Sequence, residues 1–444
     1  MPFYEDLELE LPNDTCPITW HCDGVKIYKT HKAWVYSFAS AVRKGPSLNT
    51  KLLFMIFREN EQVKPDTHRC IAKIIGWVMK VLMTGKYPTR NHKGELYPPD
   101  SVEAGRSGER FAGNWRFAFG AFKADLEARV QVHQLARNWQ SDSICEHCLA
   151  NKLPNQMVYT NFSDRAGYME YMLSHKEFLL LNPPNKQSAW VDVPGWAKDR
   201  NVEDMLHMVH QGVGSVVVAS LITHHYEDTV PNLTLEQLGD KLSSEAWRHY
   251  KAWARERRDV VCPTSSTFTA SRFGRDSWQS YPELSSHYKA AMVKFLIYWA
   301  AAFLRERFEE NPNEGSRLRA HTAYCLAQFQ FLQDAHGPWF SEQVATDEAL
   351  AGRSFLLFYQ QLAKKARQDW PNRRVYKVLP KFHSLLHCCL YIKLTKRNPR
   401  YEHVYAEEGF MRVVSTICSR CHPLTMDFVA LSRYRALIEL REAL

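Results

Sequence analysis

The sequence predicts an α/β fold that carries a large all-α segment. Three strand patterns follow one another between residues 18 and 57, and a helix pattern and a fourth strand pattern follow before residue 125. From residue 202 to residue 367, by contrast, apolar residues recur three or four positions apart, as in amphipathic helices. The chain has 444 residues, which is long for a single core, so we expect two or more packed units.

The three N-terminal strand patterns differ in character. Residues 18–28 include a turn-prone Asp23-Gly24 pair, residues 33–42 alternate aromatic with small side chains, and residues 52–57 form a continuous apolar run. A run of the last kind is typical of a strand that is buried on both faces. We expect three consecutive strands, with Asp23 in the first of them.

A helix and a fourth strand are predicted next. After Thr67, which can cap a helix, apolar residues keep helical spacing until Gly85 ends the pattern. Alternating aromatic residues up to Phe122 predict the strand, and residues 126–133 predict the helix that follows it. Asp125 therefore lies where a strand passes into a helix. Metal-dependent phosphoryl-transfer enzymes place cation-binding carboxylates at such sheet edges.

The middle of the chain is predicted to be mostly helical. Helical spacing recurs in residues 202–225, 235–257, 286–309, 316–335 and 350–367. We therefore expect three ranges, namely an α/β part with a Cys-x-x-C pair at 1–152, the helical segment at 153–375, and a C-terminal part with a His-x-x-x-His pair and the last helices at 376–444.

Two short motifs together predict a structural zinc site. Cys145 and Cys148 have the spacing that lets both sulfurs reach one tetrahedral ion. His383 and His387 are four residues apart, so on a helix both imidazoles lie on one face. A histidine pair alone is more often a packing or surface feature. The two pairs together favour a Cys₂His₂ zinc site that joins two distant parts of the chain.

A second Cys-x-x-C pair offers a different partner for the first. Cys418 and Cys421 follow a helix pattern whose apolar residues face a core, so Cys421 is readily explained as a small buried hydrophobe. We prefer the two histidines as zinc ligands, although the sequence leaves both pairings open.

A strip of basic residues indicates what kind of molecule the protein binds. Residues 364–400 contain 11 Lys or Arg and a single acid, Asp369, and the whole chain has a net charge of +9. Such a strip suits a polyanion such as DNA, which it would hold through the phosphates. The side chains we expect to make these contacts are Lys364, Lys365, Arg373, Arg374, Lys377 and Lys381.

Cysteine usage and hydropathy predict an intracellular protein. The chain has 11 cysteines, an odd number, and its acidic N-terminus has no apolar signal segment, so we expect a reducing compartment. Residues 292–304 form the most apolar run, which Lys294 interrupts and which is too short to cross a bilayer. No membrane role is expected.

The order of these residues resembles the catalytic core of DDE transposases, which has a ribonuclease H-like fold. Asp23 in a first strand, Asp125 after a fourth, a Cys-x-x-C pair 20 residues later, a His-x-x-x-His pair and an acid 20 residues beyond it are arranged as in the group that contains the CACTA, Mirage and Chapaev elements. The core of the V(D)J recombinase is similar. The resemblance covers residues 18–152 and 376–421, and it implies a ribonuclease H-like mixed sheet with the helical segment as an insertion.

This resemblance implies metal-dependent cleavage and transfer of DNA strands. Asp23, Asp125 and either Glu407 or Glu408 would hold two Mg²⁺ or Mn²⁺ ions, which activate the attacking oxygen and stabilise the leaving one. The partners implied are DNA and further copies of the chain in a homo-oligomer, and the location implied is the nucleus.

The helix pattern of residues 404–421 favours Glu407 as the third carboxylate. Glu407 shares a helix face with Phe410 and Val414, which point to the core, whereas Glu408 is rotated by about 100°. A carboxylate on that face is costly unless it meets cations, which a metal site supplies. We expect Glu407, with Glu408 as the second choice.

Two other functions are compatible with the sequence. The chain starts almost directly on the first strand, without the separate DNA-binding module that precedes the core in many transposases. A fragment, a decayed copy or a domesticated relative would lack that module. The first alternative is therefore a domesticated, inactive scaffold that binds DNA or proteins and keeps the zinc site for its fold. The second alternative is a ribonuclease H-like nuclease that acts on RNA.

Overall fold

The computed structural model describes residues 14–28, 31–42, 45–181, 187–257 and 264–442. Within these ranges one mixed sheet contains the strands β1 Thr15–Lys26, β2 Lys32–Ser40, β3 Lys51–Arg58, β4 Arg116–Lys123 and β5 Asn201–Val202. The three N-terminal strands and the fourth strand before Asp125 are thereby confirmed. The short β5 was not expected from the sequence.

Helices make up most of the remaining structure. In chain order the α-helices are α1 Ser47–Thr50, α2 Asp66–Thr84, α3 Val102–Gly105, α4 Leu126–His133, α5 His175–Leu181, α6 Ser215–Thr229, α7 Leu235–Lys241, α8 Trp247–Glu256, α9 Ala290–Glu310, α10 Glu314–Ala335, α11 Glu342–Asp369, α12 Pro380–Thr395, α13 Tyr405–Cys418 and α14 Met426–Glu442. Two π-helical segments, Leu206–Gly214 and Leu242–Ala246, lead into α6 and α8. The helices expected between residues 202 and 367 are confirmed, although the last is longer than its pattern.

The sheet is open and mixed, with the strand order β3-β2-β1-β4-β5. β2 is antiparallel to both β1 and β3, whereas β4 is parallel to both β1 and β5. A parallel neighbour requires a crossover connection, and α2 lies in the connection from β3 to β4. Gly85 ends α2 in the left-handed conformation, and a Cβ there would lie 2.8 Å from the carbonyl oxygen of Trp115. Only glycine fits that turn.

Both faces of the sheet are covered. On one face Trp20 and Phe122 pack against Ile75 of α2. On the other face Val35 packs with Phe410 of α13, and α14 lies in the same apolar cluster. Side chains alternate along each strand, so successive residues of β1 contribute to different faces.

The described residues group into two compact units. The unit with the sheet contains Met1–Ser141, Met172–Val202 and Val404–Leu444, and the helical unit contains Asp142–Tyr171 and Glu203–His403. We call them the sheet unit and the helical unit. Both the Cys-x-x-C pair at 145–148 and the His-x-x-x-His pair fall in the helical unit, so the grouping differs from the three sequence-based ranges. Those ranges stay a prediction.

One helical stretch is long and apolar enough to span a membrane by length and composition. It is Leu206–Thr229, with a mean hydropathy of 1.3, and 89% of the apolar window is buried inside the protein. The core helix of a soluble protein has the same properties. The apolar run at 292–304 lies in α9, where Val293, Leu296 and Phe303 are buried, so the predicted core helix is confirmed.

Candidate functional site

Two carboxylates lie at the same end of neighbouring parallel strands. His21 of β1 is in register with Lys123 of β4. Asp23 comes two residues after His21, and Asp125 comes two residues after Lys123, so the two acids lie at the same height along the two strands. Burial, and to a smaller extent the charges of both Asp23 and Asp125, raise the pKa of the Cys22 thiol, so both acids lie near this side chain. The sheet therefore brings these two acids close together.

Each of these two acids is oriented by nearby backbone. Asp125 caps α4, because its Oδ1 accepts a 2.6 Å hydrogen bond from the N–H of Ala128. Asp23 Oδ1 accepts a 2.6 Å hydrogen bond from the N–H of Gly24. A capping carboxylate is also favoured by the positive end of the helix dipole. The local sequence alone therefore holds Asp125 at the edge of the sheet.

Glu407, in the first turn of α13, is buried against the face of the sheet on which Val35 packs with Phe410. Only 1% of it is exposed, which confirms that it faces the core. Its Oε1 accepts a hydrogen bond from Lys51 Nζ, and Lys123 Nζ lies 3.9 Å from the same oxygen. Burial alone would raise the pKa of Glu407, but the positive charges of Lys123, Lys51 and His21 outweigh burial and lower it. The cations that Glu407 meets here are lysines.

Glu408 points to a different side of α13. Gly409 faces Ser47 of α1, whose Oγ would lie 3.4 Å from a Cβ at that position. Phe410 contacts Tyr434 of α14, with 5.8 Å between ring centroids, and the Tyr434 hydroxyl donates to the carbonyl of Lys51 in β3. Residues 409 and 410 thus mark the side of α13 that lies toward β3. Successive helical residues are rotated by about 100°, so the half-exposed Glu408 lies on a different side of α13 from Gly409 and Phe410.

A four-residue cluster lies in the helical unit. Cys145, Cys148, His383 and His387 are all buried, and their ligand atoms lie within 4.8 Å of one another. Each sulfur is 3.3 Å from one imidazole, Cys145 Sγ from His387 Nε2 and Cys148 Sγ from His383 Nε2. The two Nε2 atoms are 3.1 Å apart. Two sulfurs and two imidazole nitrogens around one point fit a tetrahedral zinc ion.

The local sequence explains how each half of this cluster forms. Pro380 occupies the first turn of α12, and the helix then places His383 and His387 one turn apart on one face. In the loop, the N–H of His147 donates to Cys145 Sγ at 3.2 Å and the N–H of Ala150 donates to Cys148 Sγ at 3.4 Å. Such donors stabilise thiolates, which are the form that binds metal.

The alternative zinc ligands are not part of this cluster. Cys418 and Cys421 end α13 in the sheet unit, where both are buried with Val414 and Met426. Burial raises the pKa of the Cys418 thiol to about 12, as for an inert core cysteine. The histidine pair, which the sequence favoured, completes the set that could hold zinc.

The basic strip is partly neutralised by acids from other helices and loops. Lys365 Nζ lies 3.2 Å from Glu314, and Lys377 Nζ lies 3.1 Å from Glu283. Lys381 is half-buried, and its aliphatic chain lies close to Gly212. These lysines are therefore less available to DNA than their positions in the sequence indicate.

The neighbouring Arg373 and Arg374 of the strip also differ from each other. Arg373 stacks over Trp278 at 4.2 Å from the ring centre, and its NH1 lies 3.9 Å from the buried Glu227. Arg374 and Lys364, in contrast, are exposed. The residues best placed for a phosphate are thus Lys364 and Arg374.

The lysines around Glu407 were not predicted from the sequence. Lys123 interrupts the apolar strand pattern two residues before Asp125, and Lys51 comes directly before the apolar run of β3. A lysine beside a buried strand is rare unless it is paired, so the sequence could have predicted that both lysines have an acidic partner. It could not have predicted which acid this is, because Glu407 is more than 280 residues away from either lysine.

Two comparisons with known proteins give no match for this chain. No protein-family model matches the sequence, and no curated protein matches it significantly. The family resemblance therefore depends on the motifs and on the geometry described above.

Proposed function

We propose that this protein is a DDE-type transposase whose ribonuclease H-like core cleaves and transfers DNA strands. The observation that carries the proposal is the meeting of Asp23 and Asp125 at one end of adjacent parallel strands. The strand order β3-β2-β1-β4-β5, with β2 antiparallel and β4 and β5 parallel to β1, supports a ribonuclease H-like core. In open sheets of this kind, ligands bind beyond the carboxyl ends of the parallel strands.

The residues at this edge suit divalent cations. Asp23 and Asp125 offer carboxylate oxygens, which Mg²⁺ and Mn²⁺ prefer. Two such ions, when bound, activate the attacking oxygen and neutralise the leaving oxygen at phosphorus. The role of Asp23 and Asp125 is to hold these cations at the spacing fixed by β1 and β4.

The third carboxylate of the proposed site is Glu408 rather than Glu407. Glu407 already meets Lys51 and Lys123, and its charge is needed there to compensate two buried ammonium groups. Glu408 is the neighbouring carboxylate of α13 and is half-exposed, so we assign it to the cations. We assign Glu407 to positioning, because it fixes Lys123 two residues before Asp125. The sequence-based preference for Glu407 stays a competing prediction, and the same experiment separates the two.

Zinc belongs to the proposal as a structural ion. The Cys₂His₂ cluster closes a tetrahedral set with four protein ligands and leaves no position for a substrate. Zinc bound there would hold the loop at 145–148 against α12. DNA as the partner, a homo-oligomeric active form and a nuclear location are parts of the same proposal.

A strand-transfer assay tests the proposal. With Mn²⁺, a nicked duplex and a plasmid target, the protein should join the 3′ end of the duplex to the plasmid, and Asp125→Asn should abolish joining while DNA binding persists. Glu408→Gln should also abolish joining. If Glu408→Gln keeps joining, and Glu407→Gln abolishes it while the sheet unit stays fully folded, Glu407 is the third ligand.

The same assay distinguishes the alternatives. DNA binding without cleavage by the unaltered chain would indicate a scaffold. Hydrolysis of an RNA–DNA hybrid without joining would indicate a nuclease. Lys364 and Arg374 should contribute to binding in either case, because they are exposed and act through phosphates.

A further inference from the structure

A second group of metal-binding side chains lies next to the Cys₂His₂ cluster. Glu146 and His147 are the two residues inside the Cys-x-x-C pair, and Glu203 comes shortly before the π-helical segment Leu206–Gly214. Their ligand atoms all lie within 4.8 Å of one another. We propose that Glu146, His147 and Glu203 bind a second divalent transition-metal ion.

The distances from the His147 nitrogen to the two carboxylates fit ligands of one shared metal ion better than they fit hydrogen bonds. Nε2 of His147 lies 3.8 Å from Oε1 of Glu146 and 3.6 Å from Oε1 of Glu203. Hydrogen bonds to nitrogen are shorter, about 2.7–3.2 Å. Two ligand atoms that are each about 2.1 Å from one tetrahedral ion lie about 3.4 Å apart. A small adjustment therefore places both oxygens and Nε2 around one ion.

The nitrogen of His147 is available for such an ion. Among the described residues, Nε2 is buried and has no hydrogen-bond partner. The ring packs beside His387, with 5.1 Å between ring centroids, which fixes its plane. A buried imidazole nitrogen normally has a partner, and a metal ion supplies one.

Charge favours a cation at the same place. Glu146 is only 4% exposed, and it shares the neighbourhood of His147 with a second carboxylate, Glu203. A divalent cation between the two carboxylates would offset their mutual repulsion. A divalent ion bound by one neutral imidazole and two carboxylates makes the group neutral.

The ligand set selects the class of metal. One imidazole and two carboxylates suit Zn²⁺, Co²⁺ or Mn²⁺, whereas Mg²⁺ and Ca²⁺ prefer oxygen alone. Three protein ligands leave at least one position for water or a substrate atom, as in catalytic zinc sites. The side chains of His147 and Glu203 are 15% and 16% exposed, so these two ligands are not fully enclosed.

The two sites are expected to fill in order. The N–H of His147 donates to Cys145 Sγ, so an ion on the cysteines orders the loop that presents Glu146 and His147. The second ion should therefore bind to protein that already holds zinc. This inference does not depend on the proposed DNA chemistry, since all three residues lie in the helical unit.

Cobalt provides a direct test. The zinc-loaded full chain is titrated with Co²⁺ in excess Mg²⁺, which occupies sites made only of oxygen. We expect one equivalent of Co²⁺ with ligand-field bands and no thiolate-to-cobalt charge-transfer band, while the zinc content stays constant. Glu203→Gln should weaken this binding at least tenfold and keep the zinc. Glu170→Gln, at an exposed glutamate of the same unit, is the matched control and should bind Co²⁺ like the unaltered chain.

Three outcomes would overturn the inference. The first is the absence of Co²⁺ binding to the zinc-loaded chain. The second is binding that Glu203→Gln leaves unchanged but Asp125→Asn removes, which would place the ion at the sheet edge. The third is loss of zinc together with Co²⁺ in Glu203→Gln, which would make Glu203 a support of the Cys₂His₂ cluster and not a ligand of its own ion.

Discussion

Replacing Glu407 by glutamine should destabilise the sheet unit strongly. The side chains of Lys51 and Glu407 are only 11% and 2% exposed, so the pair is of the buried kind. Removing one partner of a buried ion pair costs about 3–5 kcal/mol, because the other charge is left uncompensated. Lys123 loses the same partner. We therefore expect Glu407→Gln to lower the stability of the sheet unit by at least about 3 kcal/mol.

Hydrogen exchange is the suitable assay for this change. The chain has two compact units, so a single unfolding free energy for the whole protein is not well defined. Amide protection in peptides from β1 and β4 reports on the sheet unit alone. Adding Lys51→Met to Glu407→Gln should restore part of the protection, with a coupling of about 0.5–3 kcal/mol.

The pH dependence of Glu407 has a defined sign. Its pKa is lowered in the folded state, so its stabilising effect is present above the ordinary glutamate pKa of about 4.3 and is lost as the pH falls through the lower folded value. The glutamine variant should lack this acid-dependent loss. The reasoning would be refuted if Glu407→Gln kept full protection of β1 and β4 and lost only joining activity, since Glu407 would then be a metal ligand.

Three further predictions concern the helical unit. Cys145→Ser should lose zinc, measured by elemental analysis, and lower the melting temperature, because a ligand of a structural ion also stabilises the fold; zinc-free, fully folded protein would contradict this. Lys364→Ala with Arg374→Ala should reduce the salt slope of DNA binding by about 2, whereas Lys365→Ala, which removes a lysine paired with Glu314, should change it less. Burial raises the pKa of Glu348 to about 9, so the stability of the unaltered protein should fall as the pH rises from about 4.3 toward that value. In denaturation experiments, the stability of Glu348→Gln relative to the unaltered protein should increase by about 1.4 kcal/mol per pH unit over this range. Equal pH profiles of the two proteins would show that Glu348 is ionised in the fold.

Local patterns predicted those parts of the site that lie within single elements. The spacing of His383 and His387 determines a shared helix face, and the spacing of Cys145 and Cys148 is typical of a metal-binding loop, so both halves of the Cys₂His₂ cluster were recognisable. Asp125 was recognisable because a strand pattern changes to a helix pattern beside it. In each case the information lies within a few residues of the site.

Pairings between distant elements could not be predicted in the same way. The partner of Lys51 is 356 residues away, and no periodicity connects the two. The basic strip looked unopposed because its acids, such as Glu314 and Glu283, come from other parts of the chain. The choice between Glu407 and Glu408 changed for the same reason, since the burial of Glu407 was predictable and its lysine partners were not.

The cysteine and histidine pairs have a consequence for how the helical part of this chain can vary. The hydrogen-bonding contact between Cys148 and His383 spans 235 residues, so the ligand pairs enclose most of the helices of the helical unit between them. The entropy of closing such a loop grows only with the logarithm of its length, by about 0.6 kcal/mol for each doubling. Helices could therefore be gained or lost inside this loop during evolution at little thermodynamic expense, provided that the four ligands were kept. In related chains we expect the length between the two ligand pairs to vary far more than the spacing within each pair.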